Sequence, residues 1–413
     1  MRILLINNLF QPEPNHLKGL AFAQELRNRG HKIHVLTGFP NYPGGKLYPG
    51  YRMRWAMQES FDDIPVTRVA MYPSHDGSAS KRMLTYISTG MSQALYALLA
   101  KNRFDLCHVY MGPITLMWPA CILKRMQGTK VVADVQDIWP ESVLDSGMLS
   151  SAVASRLLQG MSRNAYRRAD GLIVLSPGVK ELLATRGIDP ARVEVVYNWC
   201  DECPGRSSQL HGIPPGILGD RTFNVVYAGN LGKLQGLDTV LDAAKLLGAR
   251  NARVRFLLIG NGVESDRVRA RIKDEHILNM CLFPRMPSDE VNAILAQADL
   301  LLIHLVRSKL SSIAVPQKVQ AYLAAGRPIL AAVEGEALNL FKQSGGGVSC
   351  EPENAQALAE TVSRVMALSA TEREHMGQNG QRFYRENLRF EKGIDQIERF
   401  FLSLLDDHHM SAN

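Results

Sequence analysis

No stretch of this 413-residue chain approaches the roughly 18 uninterrupted apolar residues that a membrane-crossing helix needs. The opening, MRILLIN, carries too short an apolar run and no small-residue cleavage site to be a secretory leader. Cysteine is scarce and scattered, six residues in all, which excludes a disulfide-built scaffold. One pair, Cys200 and Cys203, has the C-x-x-C spacing behind Trp199. A redox site of that kind needs a helix start directly after a strand. Pro204-Gly205-Arg206-Ser207-Ser208 follows instead, which is loop composition. A zinc site needs two more ligands, and no second C-x-x-C exists. There is no basic helix-turn-helix, zinc finger or aromatic RNA platform, so nucleic acid is not an expected partner. The phosphate loop G-x-x-x-x-G-K-[ST] and the elbow G-x-S-x-G are also missing, as are short repeats and low-complexity tracts.

What is present describes a globular protein: 46% hydrophobic and 21% charged residues. The length suggests two domains of about 200 residues. The net charge of +7 is uneven. Residues 1–200 hold 23 Lys+Arg against 15 Asp+Glu; residues 201–413 hold 24 against 25. A basic first half suits an anionic substrate or an anionic membrane surface. The expected location is cytoplasmic, peripheral on the inner face of the cell membrane.

Strand and helix patterns alternate throughout. Apolar runs predict strands at 2–7, 32–37, 66–70, 105–110, 130–134, 171–176 and 193–197. A second series lies at 224–228, 255–259, 280–283, 300–305, 328–332 and 347–350. Helical spacing fills most of the intervals. The fold class is therefore α/β: two doubly wound, Rossmann-like domains, expected to face each other across a cleft. Residues 1–200 form the first and 201–385 the second. A C-terminal helix from 386 is expected to cross back to the first. Pro, Gly and Ser enrichment marks 200–221 as the linker. Residues 81–100 predict an amphipathic helix opening with Lys81 and Arg82; it suits a membrane surface or packing on its own sheet.

The chain is organised around Asn224–Leu247. Val225–Ala228 is a buried strand, Gly229-Asn230-Leu231-Gly232-Lys233-Leu234-Gln235-Gly236 a glycine-punctuated loop, and Leu237, Val240, Leu241, Ala244 and Leu247 a helix face. Strand, glycine loop, helix aims backbone N–H groups and a positive dipole end at an anion. Gly260-Asn261-Gly262 is a second glycine turn at a strand end. Pro316, Gln317 and Lys318 open a helix that stops at Gly326, where dipole, N–H groups and ammonium could meet a phosphate together. Arg285 follows another strand. In the first half, the strand-end candidates are Asn15, His16 and Gly19, then Gln136, Trp139 and Glu141. His108 and Asp137 are the candidate catalytic groups, because a carboxylate beside an aromatic suits a hydroxylated ligand. No D-x-D occurs, so the carboxylate pair of metal-dependent sugar transfer is lacking, and no metal site is expected.

Four segments in order carry a family resemblance: GFPNYP (38–43), DVQDIWPES (134–142), YAGNLGKLQGLD (227–238) and VPQKVQAYLAAGRPI (315–329). Over roughly residues 1–400 the chain resembles the two-domain GT-B glycosyltransferases of family 4, which are retaining nucleotide-sugar enzymes. It is similar to a bacterial subgroup that builds O-antigen or capsule and includes N-acetyl-fucosamine transferases. The sequence departs from the wider family at Asn230 and Gln235, where Arg and Lys are usual. Ile313 and Ala321 stand where two glutamates are usual, and Gln136 where a His is. The resemblance implies a nucleotide-sugar donor, UDP-linked, bound in the second domain without a separate cofactor. It implies a polyprenyl-diphosphate-linked saccharide as acceptor at the first. Lys233, Lys318 and helix N-termini would carry the charge on the departing phosphate; losing one such group, Lys233 first, is expected to cost about 10²–10³ in rate. Asp137 would place the sugar or the acceptor hydroxyl. A UDP-sugar epimerase of the same architecture, or a non-catalytic subunit of a polysaccharide assembly complex, are the other functions considered.

Overall fold

Short apolar strands set between amphipathic helices fold into two α/β units in the computed structural model: Met1–Tyr197 with Gly393–Asn413, and Asn198–Lys392. The structure describes all residues except 75–78, 142–151, 202–211, 215–216, 219–220, 251–252 and 411–413.

The first unit is built on eight strands: β1 (Arg2–Ile6), β2 (Lys32–Gly38), β3 (Ala56–Phe61), β4 (Ile64–Val69), β5 (Leu106–Met111), β6 (Lys130–Val135), β7 (Gly171–Val174) and β8 (Val193–Val195). Their order is β3-β4-β2-β1-β5-β6-β7-β8. All pairings are parallel except β3 with β4. Parallel strands are covered on both faces, which is why Ile3–Ile6 and Val131–Ala133 are fully buried. β3 is absent from the sequence-based reading. Its residues, AMQESF, alternate only weakly because it is an edge strand. It is held by a two-residue turn in which Asp62 and Asp63 both take positive φ, 46° and 61°, as the twist of a tight hairpin demands.

Among the described residues, the helices of this unit are α1 (Leu20–Asn28), α2 (Ala79–Leu99), α3 (Met117–Gln127), α4 (Ala152–Arg168) and α5 (Pro177–Thr185). The C-terminal helix, Phe390–Met410, closes the unit. Arg29 donates to Glu398 at 2.8 Å and pairs with Asp395 at 2.8 Å, while His31 Nε2 meets Glu398 at 2.7 Å. Gly171 leaves room for Phe400: a Cβ there would lie 2.6 Å from the ring.

Among the described residues, the second unit has six parallel strands, β9 (Phe223–Ala228), β10 (Val254–Ile259), β11 (Met280–Phe283), β12 (Leu300–His304), β13 (Ile329–Ala332) and β14 (Gly347–Ser349). Their order is β11-β10-β9-β12-β13-β14. The strand order reverses between β9 and β12, and between β1 and β5 in the first unit. Ligands of such sheets sit outside the carboxyl ends of the strands at these switch points. There lie the 229–236 and 305–318 segments in one unit, and the 8–19 and 112–116 segments in the other. Most of the 200–221 linker falls outside the described residues. So does Cys203; Cys200 is a free thiol that donates to the Tyr384 hydroxyl at 3.1 Å.

Candidate functional site

At the switch point of the second unit, β9 ends in Tyr227-Ala228 and the chain turns at Gly229. Gly229 has φ 144°, and a Cβ on it would lie 3.3 Å from Lys318 Nζ. At Gly260, φ 147°, a Cβ would come within 1.9 Å of the Gly229 carbonyl oxygen. A Cβ on Gly262 would meet the Leu231 oxygen at 2.2 Å. These glycines let two strand-end turns stack against each other and keep the floor beside Lys318 open.

The backbone donors of the loop behave differently from expectation. Gly229 N–H donates to Ile259, Leu231 N–H to Asn261 and Gly260 N–H to Phe283. Gly262 N–H donates to Ser265 Oγ at 2.8 Å, and Gly232 N–H to Gln235 Oε1 at 3.0 Å. The same Gln235 oxygen accepts from Asn230 Nδ2 at 3.4 Å. The N–H groups of Gly229, Gly232, Gly260 and Gly262 are thus taken within the protein, and their reading as an N–H cradle is corrected to one of shape; Asn230 stays exposed on the loop. The physical reason is that neighbouring backbone carbonyls take Gly229, Leu231 and Gly260, while the Gln235 and Ser265 side chains take Gly232 and Gly262. Asp238, in the first turn of the following helix, faces Arg267 and Arg271, each at 2.7 Å.

The cationic feature of this site is the start of the Gln317–Ala325 helix. Pro316 is its N-cap residue, with φ −67° and ψ 142°, and proline suits a helix start. The first N–H groups of any helix lack intrahelical partners, and the dipole adds positive potential there. Tyr322 fixes the helix on the sheet: its hydroxyl accepts from Ala228 N–H at 2.7 Å and donates to the Ala228 oxygen at 3.3 Å. One turn earlier, the Lys318 ammonium lies 3.6 Å from the centroid of the Tyr227 ring. The lysine stem is partly accessible, but Nζ itself is buried and has no hydrogen-bond partner. Burial pushes its pKa down to about 7. Gln317 and Lys233 are exposed, and Arg285 is exposed on the loop after β11. Ile313 and Ala321 place no carboxylate near this helix.

His304 also serves the loop, and sequence reasoning missed it. Its Nε2 accepts from Glu353 N–H at 3.1 Å, so Nδ1 carries the proton and donates to the Gln235 carbonyl at 2.8 Å. The imidazole is a neutral bridge, and burial lowers its pKa.

In the first unit a cavity of about 260 Å³ opens at the carboxyl ends of β1, β5 and β6. Asn41, Arg82, Tyr86, Tyr110, Gln136 and Asp137 all line it. Asp137 is accessible, yet protein surrounds it closely enough that desolvation lifts its carboxyl above the usual range. Trp139 also lines this cavity but is largely buried. Its Nε1 donates to the Gly112 oxygen at 2.8 Å, and its ring packs edge-on against Tyr86.

Several of the predicted substrate residues are committed elsewhere. Glu141 forms an ion pair with Arg186, so its carboxylate serves the fold. Asn15 shapes its own loop, accepting from Leu17 and Lys18 N–H and donating to the Leu9 oxygen. Gly19 is needed for close approach, since a Cβ would lie 2.2 Å from the Asn15 oxygen. His16 is exposed on that loop. Gln136 lines the cavity while donating to Asp134.

His108 requires the largest correction. It sits in the middle of β5, not at its end, with no exposed surface between the rings of Phe22 and Phe401. Its Nε2 donates to Asp134 at 3.2 Å, and Asp134 also holds Lys18 at 3.6 Å. Buried on both sides, it cannot touch a substrate and acts in the interior ion cluster. Two other residues here went unnoticed in the sequence. Glu13 accepts from Asn41 and Tyr42 N–H, each at 2.8 Å, and so ties the 8–19 and 39–48 loops together. Arg68, buried, donates to Gly38 and Gln11 and pairs with Glu59. Neither had a local signal: apart from Glu59, the partners named lie 28 or more residues away.

Comparison with known proteins bears on the family and the fold. The model of the glycosyl transferase 4-like domain matches residues 20–199, and that of glycosyl transferases group 1 matches residues 217–383. The chain is similar to WbjE of Pseudomonas aeruginosa, named a probable glycosyltransferase, with 29% identity over 68% of this chain and 73% of that protein. It is similar to WcaI of Escherichia coli K12, named for colanic acid biosynthesis, with 23% identity over 89% and 93%. Among solved structures, HepE of Anabaena in complex with UDP covers 98% of this chain and 100% of its own, with TM-score 0.65 and 15% identity. A trehalose 6-phosphate synthase of Burkholderia multivorans gives TM-score 0.73 and 12% identity over 100% and 98%.

Proposed function

The chain belongs to family 4 of the GT-B glycosyltransferases, and from that premise we propose that it moves an N-acetyl sugar from a UDP-linked donor to a polyprenyl-diphosphate-linked saccharide, with retention, in O-antigen or capsule assembly. It is a glycosyltransferase of polysaccharide biosynthesis; the donor, the acceptor and the stereochemistry are the parts proposed.

One observation carries the donor reading: a buried ammonium without a hydrogen-bond partner, held against a glycine at a helix start. A buried polar group is normally hydrogen-bonded, and leaving one bare costs stability. A diphosphate beside Gly229 would supply the missing acceptor. The UDP complex of the HepE relative supports a uridine nucleotide.

The chemistry follows from charge. The bond between the anomeric carbon and the β-phosphate oxygen breaks, and negative charge grows on that oxygen. Lys318, the helix start and Lys233 stabilise it in place. The acceptor hydroxyl bonds the anomeric carbon on the face the phosphate leaves, and its proton passes to the departing phosphate. Asp137 orients a sugar hydroxyl in the cavity of the first unit. Asp137→Asn keeps the shape and removes the charge, and should lower kcat about tenfold or more with the donor Kd unchanged. Steady-state kinetics with a defined acceptor decides it: unchanged turnover at saturation removes Asp137 from this role. Lys233 is exposed, where charge interactions are screened. Lys233→Ala should therefore weaken donor binding about tenfold at low salt and less at high salt; a threefold or smaller loss at low salt would rule it out. Transfer from UDP-N-acetyl sugars, assayed with and without acceptor, tests the whole reading. Conversion of the donor without acceptor would instead mark an epimerase.

Association with an anionic membrane is supported by the basic first half and by α2. No helix among the described residues is long and apolar enough to cross a membrane. On α2, however, Leu84, Ile87, Met91, Leu95 and Leu98 form an exposed apolar stripe at helical spacing.

A further inference from the structure

Between α3 and α4 lies a second cavity, of about 430 Å³, away from the Asp137 cavity. Its walls are apolar: Ile114, Met117, Trp118 and Ile122 on one side, Met161 and Ala165 on the other. The volume is in the range that holds a small ligand. From Met117 to Arg125 the groove follows two turns of α3, about 12 Å.

Two features say what kind of ligand fits. The first is continuity with the polar cavity. Ile114, Trp139 and Leu158 form one buried cluster, with Met83 and Tyr86 packed on it. Ile114 lines the apolar groove, and Trp139 lines the Asp137 cavity. A single wall is thus shared by an apolar slot and a polar pocket. Next to Met83 on α2 is Arg82, which lines the polar cavity and whose Nε is buried without a hydrogen-bond partner. The second feature is charge. At its other end the groove is rimmed by Arg125 and Arg168, both exposed, in the last turns of α3 and α4. Such a rim complements an anionic bilayer surface. Trp118 packs on α2 at Gly90, beside the exposed stripe.

We propose that the α3–α4 groove holds the isoprenoid chain of the acceptor next to its diphosphate, with Arg82 reading that diphosphate and the Asp137 cavity taking the sugar. The assignment rests on the lipid-linked acceptor reading above. It gives the first unit an amphiphile site: polar head at β5 and β6, chain along α3 and α4, remainder in the membrane. Burial of the chain adds affinity in proportion to apolar area, while the diphosphate sets register.

The test uses the full chain and farnesyl diphosphate as probe, with inorganic diphosphate and farnesol as controls, in titrations followed by calorimetry. Farnesyl diphosphate should bind at least tenfold more tightly than either control. Met161→Glu places a charge in the groove at an accessible position and should abolish that advantage. Arg82→Gln should weaken farnesyl diphosphate and leave farnesol unchanged. Binding of a UDP-sugar should be unaffected by Met161→Glu. Equal binding of farnesyl diphosphate and inorganic diphosphate overturns the proposal, as does an unaltered affinity in Met161→Glu. Complete competition by isoprenoid-free anionic vesicles of phosphatidylglycerol would mark a general lipid surface and also overturn it. If the farnesyl diphosphate advantage is absent while sugar transfer to a water-soluble acceptor proceeds, the groove assignment fails and the transferase reading stands. Failure to bind or use any UDP-sugar would instead strike the donor reading.

Discussion

Lys318→Met should lower sugar transfer by about 10²–10³, the usual cost of removing one preorganised charge from a reacting centre, while making the protein more stable. The two effects have one cause. In the free protein the ammonium is buried beside the Tyr227 ring without a hydrogen-bond partner, and methionine fills similar space with no charge to desolvate. Thermal melts should therefore show Lys318→Met above wild type at neutral pH. The sign with pH follows. The folded pKa of about 7 lies below that of an unfolded lysine, near 10.4. The penalty is complete below about pH 7 and fades as pH rises toward 10, so the gap between variant and wild type should close over that range.

Donor binding should carry the opposite signature. A diphosphate favours the charged ammonium, so its arrival raises the Lys318 pKa and takes up a proton. Below about pH 7 the lysine of the free protein already holds that proton, and affinity should be level. Above it, affinity should fall by up to tenfold per pH unit. UDP-N-acetylglucosamine is a suitable probe because its diphosphate stays ionised throughout. A flat profile in wild type, or a sloping one in Lys318→Met, would dispose of the assignment.

Asp134→Ala should destabilise the first unit by about 3–5 kcal/mol, the cost of stranding a buried charge, and lower its melting temperature on the order of 10 °C. Asp134 has no exposed surface and Lys18 only 2%. Burial alone would raise the Asp134 pKa, but the Lys18 ammonium and the hydrogen bond from His108 outweigh it and hold the carboxyl below its usual range. Burial pushes Lys18 and His108 down. Replacing both charges, Lys18→Met with Asp134→Leu, should recover most of the loss. If the single variant melts with wild type, the ion cluster is dispensable. His34 is half-buried, and desolvation lowers its pKa as well. Because His34 and His108 have lowered pKa values, their contribution to stability is full above about pH 6.5 and is lost as pH falls below it, when the unfolded imidazoles take up protons.

The Lys18–Asp134–His108 cluster explains why one candidate was misplaced from sequence. A histidine near a strand end and one in mid-strand look alike in a string of letters. Only the register of β5, with His108 opposite Val132, puts it under Phe22 and the C-terminal helix. Glu141 was misread for a similar reason: Arg186, which claims it, lies 45 residues on.

Sequence alone determined the strand–helix alternation, the two α/β units and the strand-end loops that bear the site, because these follow from apolar periodicity and from glycine and proline within a few residues. It also pointed to Lys318 and Asp137, since their helix start and strand end are local signals. Tertiary structure alone decided which polar groups are free to meet a ligand. Gln235 closes the glycine loop, His304 pins it, and the Tyr227 ring and surrounding protein desolvate Lys318. Protonation and hydrogen-bond supply depend on everything packed around a group, and those neighbours come from distant parts of the chain.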